Sequence, residues 1–291
     1  MSGPHGIHVP LVTPFTATGA LDTASLERLA HHVLDHGAAG LVALGTTGEA
    51  PLLTDDERRT VIAVCRRVSD AHGTPLTIGA GTVGTDESAR QAEERAEAAD
   101  LLLVLVPYYL RPSDEGVVEH FAAIGAAARV PLLVYNVPYR TGKTLRVETL
   151  LTLLAAEHVA GVKHCAGAID ADTLTLLAHG GTVLGGDDAF LYPMLQLGAA
   201  GGVVASANVA PAVLVCMAEA VRAGDAGRAR TLHHALLPLT RALFAEPSPT
   251  VIKAVLAELG LIEHPGVRAP LRAPARVSVG AALDALTGLG T

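Results

Sequence analysis

Eight short, near-continuous apolar runs recur along the first two thirds of the chain. They are Ile7–Pro14, Gly40–Leu44, Leu76–Ala80, Leu101–Pro107, Pro131–Asn136, Val159–Lys163, Thr182–Gly185 and Gly202–Ser206. Polar and apolar positions do not alternate within them, so they read as parallel strands covered on both faces. Between them lie segments of helical period: Thr23–His36, Thr54–His72, Asp86–Ala99, Ser113–Ala128, Arg146–His158, Asp170–His179, Asp188–Leu197 and Pro211–Ala223. A spacing of roughly 20 to 35 residues per strand–helix unit suits right-handed crossovers between parallel strands. Eight such units predict an α/β fold, a closed (β/α)8 TIM barrel over residues 1–224, with an open doubly wound sheet as the alternative. After Gly224 the strand signal stops. Asp225–Phe244, Thr250–Leu261 and Val279–Leu289 read as three helices, which predicts a C-terminal helical appendage over residues 225–291.

Composition narrows the function classes. The formal net charge is −8 and the basic residues form no cluster, so no positive face for nucleic acid is expected. Ala189–Ala218 carries no charge and is long enough to span a bilayer, yet Tyr192, Pro193, Gln196, three glycines, Asn208 and Pro211 break it up. It therefore reads as buried α/β interior rather than a membrane span. Cys65, Cys165 and Cys216 are an odd number without metal-ligand spacing, which suits reduced thiols in a cytoplasmic protein. The opening MSGPHGIHVP lacks the pattern of a signal peptide. His31, His32, His36 and the pair His233-His234 lack a completing carboxylate, so solvated helix faces are expected and no metal. Gly79-Ala-Gly81-Thr-Val-Gly84 matches a dinucleotide fingerprint as a string, but no acidic residue closes the next strand.

The candidate chemistry lies where barrels keep it, at the C-terminal ends of strands. Those ends are polar here: Gly45-Thr46-Thr47-Gly48-Glu49, Pro107-Tyr108-Tyr109, Tyr135-Asn136-Val137-Pro138-Tyr139-Arg140, Lys163-His164-Cys165 and Gly186-Asp187-Asp188. Only three of the 21 basic residues are lysines. Lys143 sits in a loop and Lys253 on a tail helix at ordinary spacing, whereas Lys163 ends an apolar strand. Burial there disfavours the ammonium form, and a neutral amine can attack a ketone to form an imine. The competing reading is a structural lysine paired with a carboxylate such as Asp187. Tyr135 ends the neighbouring strand, so its phenol can relay the protons of carbinolamine formation and dehydration. Thr46 and Tyr109 could extend a hydroxyl chain. The backbone N–H groups of Gly45–Gly48 and the Thr47 hydroxyl could hold a carboxylate, and Arg140 could take a second one bidentately.

Taken together, these segments resemble the dihydrodipicolinate synthase/N-acetylneuraminate lyase family of class I aldolases. The resemblance rests on Val12-Thr-Pro-Phe15, Gly45-Thr-Thr-Gly-Glu49, Pro107-Tyr-Tyr109 with Arg111-Pro112, Tyr135-Asn-Val-Pro138, Gly161-Val-Lys163, Gly186-Asp-Asp188 and the helical tail. It implies a Schiff base on Lys163. It further implies a proton relay of Tyr135, Thr46 and Tyr109, the last reaching across a dimer interface. Substrate contacts would come from Thr46, Thr47, Arg140, Gly186 and Val203. Family members are commonly homotetramers, dimers of dimers, and use neither cofactor nor metal. The Arg140 loop and Phe244-Ala-Glu-Pro-Ser-Pro249 resemble the synthase branch, which implies condensation of pyruvate with aspartate 4-semialdehyde to 4-hydroxy-tetrahydrodipicolinate, towards diaminopimelate and lysine. His164-Cys165 replaces the usual acidic residue and Ala50 the usual serine. An aldolase or hydratase-lyase acting on a 2-keto-3-deoxy sugar acid, or on another pyruvate-derived 2-oxo acid, is the alternative. A catalytically silent paralogue that binds a 2-oxo acid is a third reading, against which the complete Lys, Tyr, Thr, Tyr set argues. Asp55, Arg58, Gly84 and Ser88, beside Tyr108, match the feedback-lysine cleft of some synthases without its usual His, Asn and Glu. Weak or no inhibition by lysine is expected.

Overall fold

Parallel pairing dominates the protein, whose computed structural model describes residues 3–289. The strands are β1 (Gly6–Pro10), β2 (Gly40–Ala43), β3 (Leu76–Ala80), β4 (Leu101–Leu105), β5 (Leu132–Asn136), β6 (Val159–His164), β7 (Val183–Gly185) and β8 (Gly201–Val203), in chain order in one closed barrel. The helices between them are α1 (Thr23–Asp35), α2 (Asp55–His72), α3 (Thr85–Ala96), α4 (Asp114–Ala127), α5 (Pro138–Thr141), α6 (Val147–Leu154), α7 (Ala171–Ala178) and α8 (Leu191–Gln196). They are followed by α9 (Pro211–Arg222), α10 (Ala226–Leu243), α11 (Thr250–Glu258) and α12 (Arg276–Thr287). The barrel expectation holds. The first strand ends at Pro10 rather than Pro14. Leu11–Pro14 stays buried, but Val12 N–H turns to the Asn208 side chain at 3.3 Å instead of a ladder partner.

By contact density the chain divides into two units: the segment ending at Gly6 with Pro75–Val203, and Ile7–Thr74 with the chain from Val204 onward. In the first unit the decisive feature is the β5/β6 register. Leu132 faces Val159 but Leu133 faces Gly161, so Ala160 is an extra residue. Beyond that irregularity Tyr135 lies opposite Lys163, and Asn136 opposite His164. A register one residue shorter would turn Lys163 to the other face of the sheet. Gly161 permits the close packing here, since a Cβ would come within 2.7 Å of the Thr182 carbonyl oxygen.

In the second unit, side-chain caps start α1 and α10 at Asp22 and Asp225, and Thr54 with Glu57 forms a complete capping box on α2. At its centre lies an ion pair unforeseen in the sequence, where Lys253 reads as an ordinary helix residue. Lys253 and Glu49 have fully buried side chains with Nζ and Oε1 2.8 Å apart. Lys253 Nζ also donates to the Thr13 carbonyl at 2.8 Å and sits 4.1 Å from the Phe15 ring centroid. Arg268 lies 4.3 Å from the same centroid, donates its N–H to Glu49 Oε2, and pairs its guanidinium with Glu57. The tail is thus tied to the Gly45–Glu49 turn by charge inside an apolar setting. Burial lowers the Lys253 pKa against the opposing pull of Glu49.

A buried charge that loses its partner is expensive, so Lys253→Met should destabilise the protein by about 3–5 kcal/mol. The double variant Lys253→Met/Glu49→Gln should recover most of that loss in denaturant melts; a single variant as stable as the wild type would refute the pairing argument. The Arg268 hydrogen bond lowers the Glu57 pKa to about 2. The stability Glu57 contributes is therefore complete above its unfolded value of about 4.5 and is lost as pH falls towards about 2. Glu57→Gln keeps the capping box, so its stability gap to the wild type should be open at pH 6 and close towards pH 2. A gap independent of pH would count against the charge as its source.

Candidate active site

Lys163 is the penultimate residue of β6, and its burial follows from the strand that carries it. Its relative exposure is 6%, matching the 6% of Tyr135 across the β5/β6 ladder, and its Nζ lies 4.2 Å from the Tyr135 ring centroid. Among the described residues the amine makes no ion pair. The competing partner from the sequence, Asp187, instead accepts from Gly167 N–H at 2.7 Å and from the Tyr139 hydroxyl at 3.2 Å. Space for the lysine arm comes from Gly186, where a Cβ would fall 2.1 Å from Cys165 Sγ and 2.8 Å from Lys163 Cε.

The electrostatics correct one expectation. Burial disfavours the Lys163 ammonium form as foreseen, but negative charge at Tyr135, Cys165, Asp188 and Asp187 opposes it, and the balance lies above the usual lysine value. The Cys165 contribution needs an ionised thiol. Burial pushes the Cys165 thiol up to about 12, so its share vanishes in the neutral range. Burial on one side is opposed by Tyr135 and by the Asp188 and Asp187 carboxylates on the other.

His164 points to the opposite face, as the alternation of a strand requires. The Asn136 amide nitrogen lies 3.2 Å from its Nδ1, and its Nε2 lies 3.1 Å from Thr173 Oγ1, which in turn donates to Asp170 Oδ1 at 2.8 Å. Because the Thr173 proton is committed to Asp170, Nε2 carries the histidine proton and Nδ1 accepts from Asn136. Burial lowers the His164 pKa, which keeps the ring neutral. The substitution at 164 is therefore absorbed by packing on α7, behind the strand.

The remaining residues marked by the sequence are placed as follows. Val203 ends β8 at 1% exposure. Arg140 belongs to α5, a single turn opened by Pro138, and is exposed. Its guanidinium lies 5.7 Å from the Tyr139 ring centroid and makes no hydrogen bond or ion pair among the described residues. Its charge and that of Lys163 both act on the Cys165 thiol. Tyr109 is 84% exposed with φ 65°, and within the chain it is held by its backbone N–H to the Thr141 carbonyl at 3.3 Å. In the second unit, Thr46–Gly48 forms a 3-10 turn with Thr47 buried and Thr46 exposed. Gly48 N–H is committed to the Gly45 carbonyl at 3.1 Å, so the expected ring of backbone donors over Gly45–Gly48 has one fewer member. Thr13 Oγ1 holds the Gly48 carbonyl from beneath at 2.7 Å.

Two features escaped sequence reasoning. Tyr139 is a strut between Arg140 and Asp187, signalled only by the clustering of tyrosines. The Glu49–Lys253 pair under the Thr46–Thr47 turn carried no local signal. His31 is more than a solvated face, since its Nδ1 lies 2.9 Å from His72 Nε2 on α2. Among the described residues no group of three or more His, Cys, Asp or Glu could hold a metal ion, and no helix is long and apolar enough to cross a membrane.

Known proteins resemble this chain over nearly its whole length. The profile of the Dihydrodipicolinate synthetase family matches residues 3–283. The 4-hydroxy-tetrahydrodipicolinate synthase of Moorella thermoacetica is 41% identical over 267 residues, covering 90% of each chain. That of Salinibacter ruber is 40% identical over 291 residues, covering 97% of this chain and 95% of its own. The solved dihydrodipicolinate synthase of Thermotoga maritima superposes with a TM-score of 0.94 at 32% identity over 98% of each chain. A chloride-inhibited dihydrodipicolinate synthase of Acinetobacter baumannii in complex with pyruvate gives 0.93 at 33% identity, covering 98% of this chain and 99% of that one. With its barrel, its strand-end lysine and tyrosine, and this likeness over nearly its whole length, the chain belongs to the dihydrodipicolinate synthetase family.

Proposed function

We propose that this chain is a lyase that condenses pyruvate with aspartate 4-semialdehyde to 4-hydroxy-tetrahydrodipicolinate, on the route to diaminopimelate and lysine, through a Schiff base on Lys163. The observation that carries this reading is the buried Lys163 amine, held over the Tyr135 ring without a carboxylate partner among the described residues. In its neutral form the amine adds to the C2 ketone of pyruvate. The carbinolamine loses its hydroxyl as water, with Tyr135 moving the proton, and a C–N double bond replaces the C–O bond. Loss of a proton from C3 gives an enamine whose carbon attacks the aldehyde, and later attack on the imine by an amine or water frees Lys163.

Each flanking residue has a role suited to its placement. Thr46 and Thr47 hold the pyruvate carboxylate, Gly186 and Val203 shape the space around the lysine arm, and Arg140 grips the carboxylate of the semialdehyde with its uncommitted donors. Tyr109 completes the proton relay with Tyr135 and Thr46. Its outward placement, beside Leu110 at 69% exposure, supports its offering to a neighbouring subunit in a homotetramer built as a dimer of dimers. The chemistry requires neither metal nor cofactor, and the working compartment is the cytoplasm. His164, turned towards α7, leaves the substrate side of β6 as the synthase reading needs it.

Borohydride reduction in the presence of pyruvate should add a covalent mass to the peptide carrying Lys163 and to nothing in Lys163→Ala. Absence of any adduct in the wild type would overturn the mechanism. Arg140→Ala should raise the KM for aspartate semialdehyde by roughly tenfold or more, the usual worth of a charge-assisted hydrogen bond. An unchanged KM would remove the residue that favours this branch over keto-deoxy acid cleavage. Free lysine should inhibit weakly or not at all; half-maximal inhibition below a millimolar concentration would contradict the reading of Asp55, Arg58, Gly84 and Ser88.

A further inference from the structure

Tyr139 connects three loops that the proposed mechanism treats separately. It lies on α5 next to Arg140. Its hydroxyl donates to Asp187 Oδ1 at 3.2 Å, beyond β7. The other oxygen of Asp187 accepts from Gly167 N–H at 2.7 Å, in the loop after β6. A Cβ at Gly167 would meet Tyr139 Cδ1 at 3.9 Å, so the ring passes beside that loop. Partial burial, together with the charges at Cys165 and Asp187, holds the phenol above its usual pKa range, and it remains a donor.

The guanidinium of Arg140 stands 5.7 Å from the centroid of this ring. A phenol that donates to a carboxylate has a more electron-rich face, which strengthens its hold on a cation. The result is an indirect chain from Asp187 through Tyr139 to Arg140. The carboxylate supports the guanidinium without pairing with it. A direct pair would consume the planar fork that recognises a substrate carboxylate.

We propose that Tyr139 is a positioning residue for Arg140, presenting its guanidinium with donors free for the carboxylate of the second substrate and keeping it from collapsing onto Asp187. This inference rests on the role given to Arg140 above. Tyr139 is 59% exposed, so its replacement leaves the core intact. Tyr139→Ala should raise the KM for aspartate semialdehyde by roughly tenfold and Tyr139→Phe by roughly two- to threefold, the range spanned by loss of a cation–π contact and by its weakening. The KM for pyruvate and borohydride trapping at Lys163 should stay within about twofold of the wild type.

A parallel rise in both KM values, or none in either, overturns the proposal. Calorimetric binding of succinate to the pyruvate-treated protein provides an arm independent of turnover. Weakening of succinate by Tyr139→Ala as much as by Arg140→Ala supports the positioning role even if the wild type fails to use the semialdehyde, a failure that would sink the function reading alone. Succinate binding that Arg140→Ala weakens and Tyr139→Ala leaves unchanged overturns the positioning role.

Discussion

One extra residue in one strand decides which side chains meet at the candidate site. Ala160 interrupts the β5/β6 register, and from Leu133 onward the ladder runs with Tyr135 opposite Lys163. Paired residues of neighbouring strands point to the same face, so the amine and the phenol ring meet by backbone geometry rather than by side-chain choice. The same register sends Asn136 and His164 together to the other face, where they bond to each other and to α7. The amine of the proposed mechanism and the structural polar groups are thereby sorted by alternation, with Lys163 on one side and the His164–Thr173–Asp170 chain on the other.

Backbone strain marks the same places that the polar strand ends do. Among the described residues four non-glycine residues adopt left-handed conformations: Leu44, Glu49, Tyr109 and Arg111. Two bracket the Thr46–Thr47 turn and two lie in the Tyr109 loop. Each such residue costs on the order of 1–3 kcal/mol and persists only where its surroundings over-determine it. For the first turn those surroundings are visible. Glu49 is held by Lys253 and Arg268, and Gly48 by Thr13, all in buried or half-buried settings. For the second, Tyr109 N–H is held by Thr141, whose hydroxyl bonds within its own loop. Nearby, Asp114 gathers Lys143, the Arg146 backbone and Thr149.

How far the sequence could be read follows from the range of the interactions. The barrel was legible because eight apolar runs and the intervening helical periods are local signals. Lys163 was legible because a lone amine at the end of such a run conflicts with its surroundings. The overrun of the first strand has a physical cause: Leu11–Pro14 is as buried as a strand, and an apolar run does not reveal where ladder bonding gives way to the Asn208 side chain. The single turn α5 and the 3-10 turn at Thr46–Gly48 are shorter than any period. Lys253 was misread because its partners Glu49 and Thr13 lie 204 and 240 residues away in sequence. The Ala160 irregularity, on which the pairing of Tyr135 with Lys163 depends, has no signature in Val159-Ala-Gly-Val.

Two buried lysines in one protein show why position in a fold decides chemistry more than basicity does. Lys253 has its pKa lowered by burial, which taken alone would favour a nucleophile. Its amine nevertheless donates to Glu49 and to the Thr13 carbonyl, and nothing in those contacts leaves a lone pair open to a carbonyl carbon. Lys163 has a pKa raised on balance, yet no acceptor among the described residues holds its protons, and its neighbour is a ring carrying an exchangeable hydroxyl. A fraction of neutral amine that is sterically free can react, whereas a larger fraction engaged by two acceptors cannot. Availability separates the lysine proposed to form the Schiff base from the structural one, and the β5/β6 register together with the space left by Gly186 provides it.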